Sequence, residues 1–499
     1  MILFLSLWNI MNLDIVKGSR MMQDEFILMI DAGSSGTRFY LFEKTREEYF
    51  PISSTSSVYE RDDGPLDAET AETAFAYIQP GLVKVSDAVS TKQNVVIDVY
   101  VYGTAGMRLV SESTQEDLYR GLSSGLRTYV DPIHQNIRWV IKEAKTISGN
   151  DEGFFAAIAT NYLAHRITRR LEPGSTELYG ALELGGSSTQ WSFDVKGRSR
   201  NRRVRKRRHS DRIALTPEDF FTHSYLNYGV NRMRDRLVQL SLESQQSKMG
   251  PLLHPCFFKG DTVLIDQTRW TGEGNGTACI ERIESFVVSS NHACPNGAFC
   301  ALDSVKQPRP LPQAKFYAFG VYYYATQFAA SVIAFVGPQE SNHPTLSMPN
   351  PSLRELQQTT EWICQLTIDR VDVDPSTSPR TPSYIAQLSR RCLDLSYIVV
   401  LMRHFGFHEN DQRVFFVHDI DHHEVNWAMG AYLIVMAQEV MAAQESELYQ
   451  SGLPTTWYLV CFLCVIAWLF LYRKTHRRIY TRFRCFRFFN HSRPLQSQL

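Results

Sequence analysis

IDAGSSGTRF (30–39) lies between two apolar runs, FILMI (26–30) and RFYLF (38–42). Strand-forming residues on both sides make it a turn between two strands. Its composition is unusual for a turn, with one carboxylate, Asp31, ahead of two glycines and three hydroxyls. The same pattern returns further along as LELGGSST (182–189). Both stretches read apolar residue, carboxylate, spacer, glycine, small and hydroxyl residues, then threonine. A duplicated lobe places two such turns face to face across a cleft.

A phosphate chain needs donors that approach closely without bulk. Gly33, Gly36, Gly185 and Gly186 allow backbone N–H groups to point at oxygen. Ser34, Ser35, Thr37, Ser187, Ser188 and Thr189 add hydroxyls. Asp31 and Glu183 would repel bare phosphate, so they make sense as holders of a divalent cation, directly or through water. No GxxxxGK[ST] and no GxGxxG after a strand is present, which excludes a P-loop and a dinucleotide fingerprint. Hydrolysis also needs a base. Glu152, in SGNDEG (148–153), sits at an expected helix start from which a carboxylate can take a proton from water.

Around these turns strands and helices alternate, which argues for an α/β protein. VVIDVYVYGT (95–104) reads as a central strand, 112–130 as a helix, and 147–167 as a loop entering a long helix capped by Asn150 or Asp151. YGALELGG (179–186) is a strand and TQWSFDV its return. Thr216-Pro-Glu-Asp reads as a helix start, and 251–315 as loop-heavy. Helical patterns recur at 319–336, 353–366 and 389–405, RVFFVHD (413–419) is a strand, and 424–445 a last helix. HDIDHH (418–423) reads as a surface turn.

The formal net charge of zero is misleading. Arg198–Arg208 and the tail after Tyr472 each hold eight basic residues and no acid; without them 36 basic residues face 52 acidic ones. Such a body excludes general nucleic-acid binding. Thr455–Tyr472 is 18 residues without charge, followed by RKTHRR, and is expected to span a membrane with the basic tail in the cytosol. The basic loop is read as solvated, with RKRR (205–208) as a candidate luminal cleavage site. The tail is expected to lie on the cytosolic leaflet. MILFLSLWNIMNL (1–13) lacks a basic flank and is a signal, an anchor or a segment preceding a true start at Met21-Met22.

Of nine cysteines, Cys461 and Cys464 fall in the span and Cys485 in the tail. Cys256, Cys279, Cys294, Cys300, Cys364 and Cys392 remain, an even number that suits an oxidising lumen. Sequence order favours 256–279, 294–300 and 364–392, although six cysteines permit 15 pairings. Asn275-Gly-Thr is a glycosylation sequon.

IDAGSSGTRFYLF, YGTAGMRLV (102–110), ISGNDEGFFAAIATNYL (147–163), GALELGGSSTQ (180–190) and FYAFGVYYY (316–324) are similar, in order, to the five apyrase conserved regions of the nucleoside triphosphate diphosphohydrolase (apyrase, nucleoside diphosphatase) family. SYLNYGVNRMRDRL, HPCFFKG and HHEVNWAMGAYL also resemble family segments, and the likeness covers roughly 25–445. It implies two RNase-H-like lobes of the actin/Hsp70/sugar-kinase type with the active site between them. The expected division is 1–24 of uncertain role, 25–146 lobe I, 147–423 lobe II with a basic insertion at 198–210, and 424–450 returning to lobe I. The span follows at 455–472 and the tail at 473–499.

By the same resemblance Glu152 is the base. Ser34, Ser35 and Gly36 match the first phosphate loop, and Gly186, Ser187, Ser188, Thr189 and Gln190 the second. Asp31, Thr104, Glu152, Glu183 and Trp427 match positions around a Ca²⁺ or Mg²⁺ ion and its waters. Tyr323 or Tyr324 matches a base-stacking aromatic. Three positions depart from the family pattern: Glu183 stands for an Asp, Ala157 for a common Trp, and Gly36 for the His of many cell-surface members. Gly36 and the small disulfide count resemble endomembrane members that act on UDP and GDP. The expectation is therefore a type I Golgi membrane nucleoside diphosphatase that supports glycosylation. A cell-surface apyrase acting on ATP and ADP, and an inactive nucleotide-binding scaffold, are the alternatives.

Overall fold

The computed structural model describes residues 24–44, 56–62, 64–131, 133–174, 176–195, 214–245, 252–265, 267–290, 294, 299–373, 387–450 and 462–473. The chain forms two compact units divided between Ala437 and Gln438.

The first unit contains two five-stranded sheets of the same topology. β1 (Glu25–Ala32), β2 (Thr37–Glu43), β3 (Tyr59–Arg61), β4 (Val95–Gly103) and β5 (Ile137–Thr146) form one in the order β3-β2-β1-β4-β5. α1 (Ala74–Ala88) and α2 (Glu112–Thr128) belong with it. After α3 (Gly149–Leu163), β6 (Gly180–Leu184), β7 (Ser188–Asp194) and β8 (Phe220–Leu226) begin the second. α4 (Val230–Gln245), the small sheet β9 (Leu252–His254), β10 (Thr262–Ile265) and β11 (Thr268–Gly272), and α5 (Gly276–Ser290) follow. β12 (Phe316–Gly320), α6 (Val321–Val336), α7 (Leu353–Cys364), α8 (Arg391–His404) and β13 (Val414–Phe416) complete the lobe, and α9 (Trp427–Gln450) ends the body.

Read outward, the second sheet runs β8-β7-β6-β12-β13. In both sheets the first hairpin is antiparallel, β1–β2 and β6–β7. The strand on its far side is parallel, β1–β4 and β6–β12. The repeat inferred from two short turns is therefore a repeat of whole lobes.

Alternation along β1 shows how the sequence builds the layers. Leu28 and Ile30 face the core beneath α1 and α2, while Ile27 and Met29 face the opposite way. The second face meets α3 and α9, which also pack on Ala181 of β6 and Phe319 of β12. Two helices thus form a shared layer between the sheets. They cross so closely that a Cβ on Gly430 would strike the carbonyl oxygen of Phe155. Phe42 stacks on Tyr432 at 4.5 Å between ring centroids, fixing α9 on the first sheet. Ala157, where the family commonly has Trp, is fully buried in this layer.

Several local expectations are corrected. α3 is capped by Ser148 rather than Asn150 or Asp151, because its Oγ accepts from Asp151 N–H at 3.0 Å. Thr216 opens only a single 3₁₀ turn, Pro217–Asp219, before strand β8 takes over. Residues 251–315 hold a small sheet and the 15-residue α5. The last helix starts at Trp427, where Asn426 Oδ1 accepts from Met429 N–H at 2.9 Å. Asp421 and His422 are left-handed (φ 53° and 64°) at the tip of a two-residue hairpin turn between 419–420 and 423–424, the expected surface turn.

The three disulfides are Cys256–Cys279, Cys294–Cys300 and Cys364–Cys392, the order-favoured pairing. In the second unit residues 462–473 are helical with exposed apolar side chains. Among the described residues no helix is long and apolar enough to cross a membrane. Residues 455–461 of the expected span, the basic loop 198–210, the tail from 474 and residues 1–23 lie outside the described residues.

Candidate active site

The two glycine-rich turns close with the same hydrogen bond. Gly33 N–H donates to Gly36 O at 2.9 Å, and Gly185 N–H donates to Ser188 O at 3.0 Å. Each threonine that follows turns inward: Thr37 Oγ1 meets Tyr77 OH at 2.9 Å, and Thr189 Oγ1 donates to Glu183 O at 2.7 Å. The threonine hydroxyls therefore brace the turns, leaving serines and backbone N–H groups for a ligand. The turns face each other, since a Cβ on Gly186 would lie 3.2 Å from Ser34 Oγ. Gly36 is covered by β3: a Cβ there would strike the carbonyl oxygen of Arg61. Behind the second turn α4 donates Val230 N–H to Gly185 O (3.0 Å) and Asn231 N–H to Gly186 O (2.9 Å).

Three carboxylates converge between the turns. Asp31 ends β1, Glu183 lies on β6, and Glu152 is in the first turn of α3. Asp31 Oδ1 and Glu183 Oε2 are buried with no hydrogen-bond partner. Burial, opposed by Arg38 at 3.9 Å, pushes Asp31 up to about 7. Burial, then the Glu152 and Asp31 charges, hold Glu183 well above the usual carboxylate range. Two buried, unpaired oxygens that repel each other fit a divalent cation, and Mg²⁺ commonly takes only one or two carboxylates plus substrate phosphate. Among the described residues no group of three or more His, Cys, Asp or Glu is placed to hold an ion. The Trp427 indole hydrogen-bonds toward Asp31, and Thr104 N–H donates to Ala32 O at 3.1 Å, placing both expected residues at this centre.

Glu152 is held from the other lobe. Arg108 Nη2 lies 2.9 Å from Glu152 Oε2 and 3.4 Å from Ser188 Oγ, and Nη1 donates to Ile147 O at 3.2 Å. Gln190 Nε2 donates to Ser188 Oγ at 2.6 Å and to Ser224 Oγ at 3.1 Å, and its side chain also bonds Glu152. Burial raises the Glu152 carboxyl while Arg108 opposes it. A base held by a cation and an amide is suited to receive a proton from a water placed between the turns.

A cleft of about 230 Å³ opens outward from Ser35 and Gly186 along Val230, Val321 and Tyr324. Tyr324 is half exposed into it, while Tyr323 sits behind, both beside His418 (5.9 and 5.5 Å between ring centroids). Asn275 is exposed just before α5, where its Oδ1 accepts from Ala278 N–H at 3.0 Å. Arg108, Asn231, Arg234, Arg390, Arg391 and Asp394 were not singled out in the sequence. Arg108 stands inside the quoted YGTAGMRLV as its only charge, which was the available signal. The others come together only when α4 and α8 pack.

Duplicated lobes with matched glycine-rich turns facing across a carboxylate-lined cleft define an α/β protein of the two-lobe phosphate-handling class. The chain belongs to the GDA1/CD39 (nucleoside phosphatase) family, whose profile matches residues 19–448. It is a nucleoside di- or triphosphate phosphohydrolase. Ectonucleoside triphosphate diphosphohydrolase 1 of Mus musculus is 24% identical over 90% of this chain and 88% of its own. Ectonucleoside triphosphate diphosphohydrolase 8 of Gallus gallus is 28% identical over 63% of this chain and 66% of its own. A crystal structure of nucleoside triphosphate hydrolases from Neospora caninum shares the fold, with TM-score 0.56 and 16% identity, over 87% of this chain and 96% of that one.

Proposed function

We propose that the protein removes the terminal phosphate of nucleoside diphosphates, UDP and GDP foremost, and also of triphosphates, with Ca²⁺ or Mg²⁺. The observation that carries this reading is the pair of equivalent turns enclosing Asp31, Glu183 and Glu152. Asp31 and Glu183 would hold the cation, with Thr104 and Trp427 around its waters. That ion supplies neutralisation of phosphate charge. Backbone N–H groups of residues 34–36 and 186–188, left over once Gly33 and Gly185 have closed the turns, bind phosphate oxygens, with Ser34, Ser35, Ser187 and Ser188 as side-chain donors. Glu152 takes the proton of the attacking water, Gln190 and Ser188 orient that water, and no phosphoenzyme forms. Tyr324, with Tyr323 behind it, offers a face on which the base stacks.

Gly36 supports the diphosphate preference, and the three disulfides support a luminal compartment. The exposed apolar helix 462–473 supports a C-terminal anchor with type I orientation in the Golgi membrane, and the exposed Asn275 a luminal glycan. The role that follows is removal of the UDP or GDP left by glycosyl transfer. The names of the relatives, ectonucleoside triphosphate diphosphohydrolases, favour a second reading, hydrolysis of ATP and ADP at the cell surface. Phosphate release from UDP, GDP, ADP and ATP, with Ca²⁺, Mg²⁺ or chelator, separates the readings. Faster release from UDP and GDP supports the first, and faster release from ATP and ADP the second. No release from any would leave an inactive nucleotide-binding scaffold. Loss of an N-glycosidase mobility shift in Asn275→Gln tests the luminal placement.

A further inference from the structure

The loop between α2 and β5 displays two apolar side chains that the fold does not cover: Val130 is 70% exposed and Ile133 69%. Neither is free to fold back. The buried Asp131 accepts from Ile133 N–H at 2.8 Å and from His134 N–H at 2.7 Å through Oδ1, and from Tyr129 OH at 3.2 Å through Oδ2. The Tyr129 ring packs in turn on Phe75 and Trp139, at 5.6 and 5.7 Å between ring centroids. An aspartate that clamps the N–H groups ahead of it fixes a turn, so the exposure of Val130 and Ile133 is built into the loop.

This loop lies at the end of the first sheet opposite the phosphate turn. Asn136 accepts from Val95 N–H at 3.1 Å at the start of β4, and Val96 N–H donates to Asp24 O at 2.9 Å just ahead of β1. Asp31 and its turn are at the far end of β1. At Asp24 the chain arrives from residues 1–23, which open with the mostly apolar MILFLSLWNIMNL. The chain also leaves the first unit toward this end. α9 starts with Trp427 beside Tyr102, and one turn later Tyr432 OH donates to Glu43 O at 3.0 Å, where Glu43 pairs with Phe26 at the start of β1. The first unit ends at Ala437, and further along the sequence stand the 18 uncharged residues 455–472.

We propose that Val130 and Ile133 dip into the lipid surface of the membrane to which the chain is anchored, so that lobe I rests on the bilayer by this end and holds the cleft away from it. The proposal rests on reading 455–472 as a membrane span. Two aliphatic side chains bury too little surface to hold a protein on lipid by themselves. On a chain already tethered to the bilayer the contact is intramolecular in effect, and a small gain suffices to set the orientation. A rigid apolar tip at the end where the chain enters and leaves the lobe is suited to that contact.

The test uses the full chain reconstituted in phosphatidylcholine vesicles, with a benzophenone amino acid in place of Val130 or, in a second preparation, of Ile133. A third preparation carries it in place of Glu112, which is exposed at the start of α2 near the cleft end of the same lobe. A cooperative thermal transition close to that of the wild type shows that each labelled chain is folded. Irradiation should give lipid adducts from positions 130 and 133 and none from position 112. Vesicle-bound chain that yields no lipid adduct at 130 or 133, yields as much at 112, or crosslinks only to a second copy would overturn the lipid contact alone. Chain that does not float with the vesicles would overturn the membrane-span reading beneath it as well.

Discussion

Arg108 Nη2 reaches to within 2.9 Å of Glu152 Oε2, joining the 3₁₀ turn Met107–Leu109 after β4 to the first turn of α3 in the layer shared by the two sheets. Both side chains are largely buried, at 14% and 7% exposure, so the pair is shielded from solvent. Removing one partner of such a pair leaves an uncompensated charge and costs about 3–5 kcal/mol. Arg108→Ala should therefore lower stability and drive Glu152 toward its neutral form, since burial already raises its carboxyl and Arg108 is the main opposing influence. A neutral Glu152 cannot accept a proton. The acid limb of the kcat profile should move to higher pH in Arg108→Ala and partly return in Arg108→Lys. An unmoved acid limb would mean that Arg108 does not set the state of Glu152.

The proposed cation site bears on stability as well as turnover. Asp31 is raised from 3.8 to about 7, so between those pH values the folded state holds a proton that the unfolded state has lost. In chelator its contribution therefore destabilises the fold as pH rises from about 4 through 7, with a ceiling of about 4 kcal/mol. Asp31→Asn should flatten that part of the urea-unfolding pH profile. Added Ca²⁺ or Mg²⁺ should raise wild-type stability most at the alkaline end and raise that of the variant much less. A variant with the wild-type slope and metal response would remove Asp31 from the site.

Gly36 has no room for a side chain, because the Arg61 carbonyl sits where its Cβ would be and the Asp62 Cα lies 3.1 Å away. Arg61 cannot retreat easily, since its Nη1 donates to Tyr77 O at 2.6 Å and its guanidinium lies 4.1 Å from the Tyr77 ring centre. Gly36→Ala should cost about 1–3 kcal/mol, and Gly36→His more, measured as a fall in thermal midpoint together with lower activity. A neutral Gly36→His would show that β3 yields, and would weaken the use of Gly36 as a mark of substrate preference.

The shared layer between the sheets depends on a close helix crossing at Gly430, whose absent Cβ leaves space for the Phe155 carbonyl. Gly430→Val should separate α9 from α3, lowering the unfolding midpoint and loosening the geometry at Glu152, three residues earlier on α3. Wild-type stability and turnover in this variant would contradict that coupling.

The two turns were legible because their chemistry is local: carboxylate, glycines and hydroxyls repeat within eight residues at 31–37 and 183–189. The strands around them followed from continuous apolar, β-prone runs such as FILMI and VVIDVYVYGT, and the three disulfides from sequence order. The cap of α3 was misplaced by two or three residues because Ser148, Asn150 and Asp151 are all competent caps, and only the backbone geometry decides. The helix expected at Thr216 fails because the hydrophobic Phe220 and Phe221 are claimed by the edge of the second sheet. Arg234 and Arg390 lie 156 positions apart and converge only through the packing of α4 and α8, which no local pattern encodes.

In the proposed mechanism Glu152, set between the two duplicated turns, is the base for direct attack of water on a nucleotide's terminal phosphate. Orthophosphate release from UDP by wild type and Glu152→Gln, in Mg²⁺ or Ca²⁺, tests it most directly. The expected result is metal-dependent release by the wild type, a loss of about 10²–10⁴-fold in the variant, and nucleotide binding largely retained. Release by Glu152→Gln at the wild-type rate would contradict it.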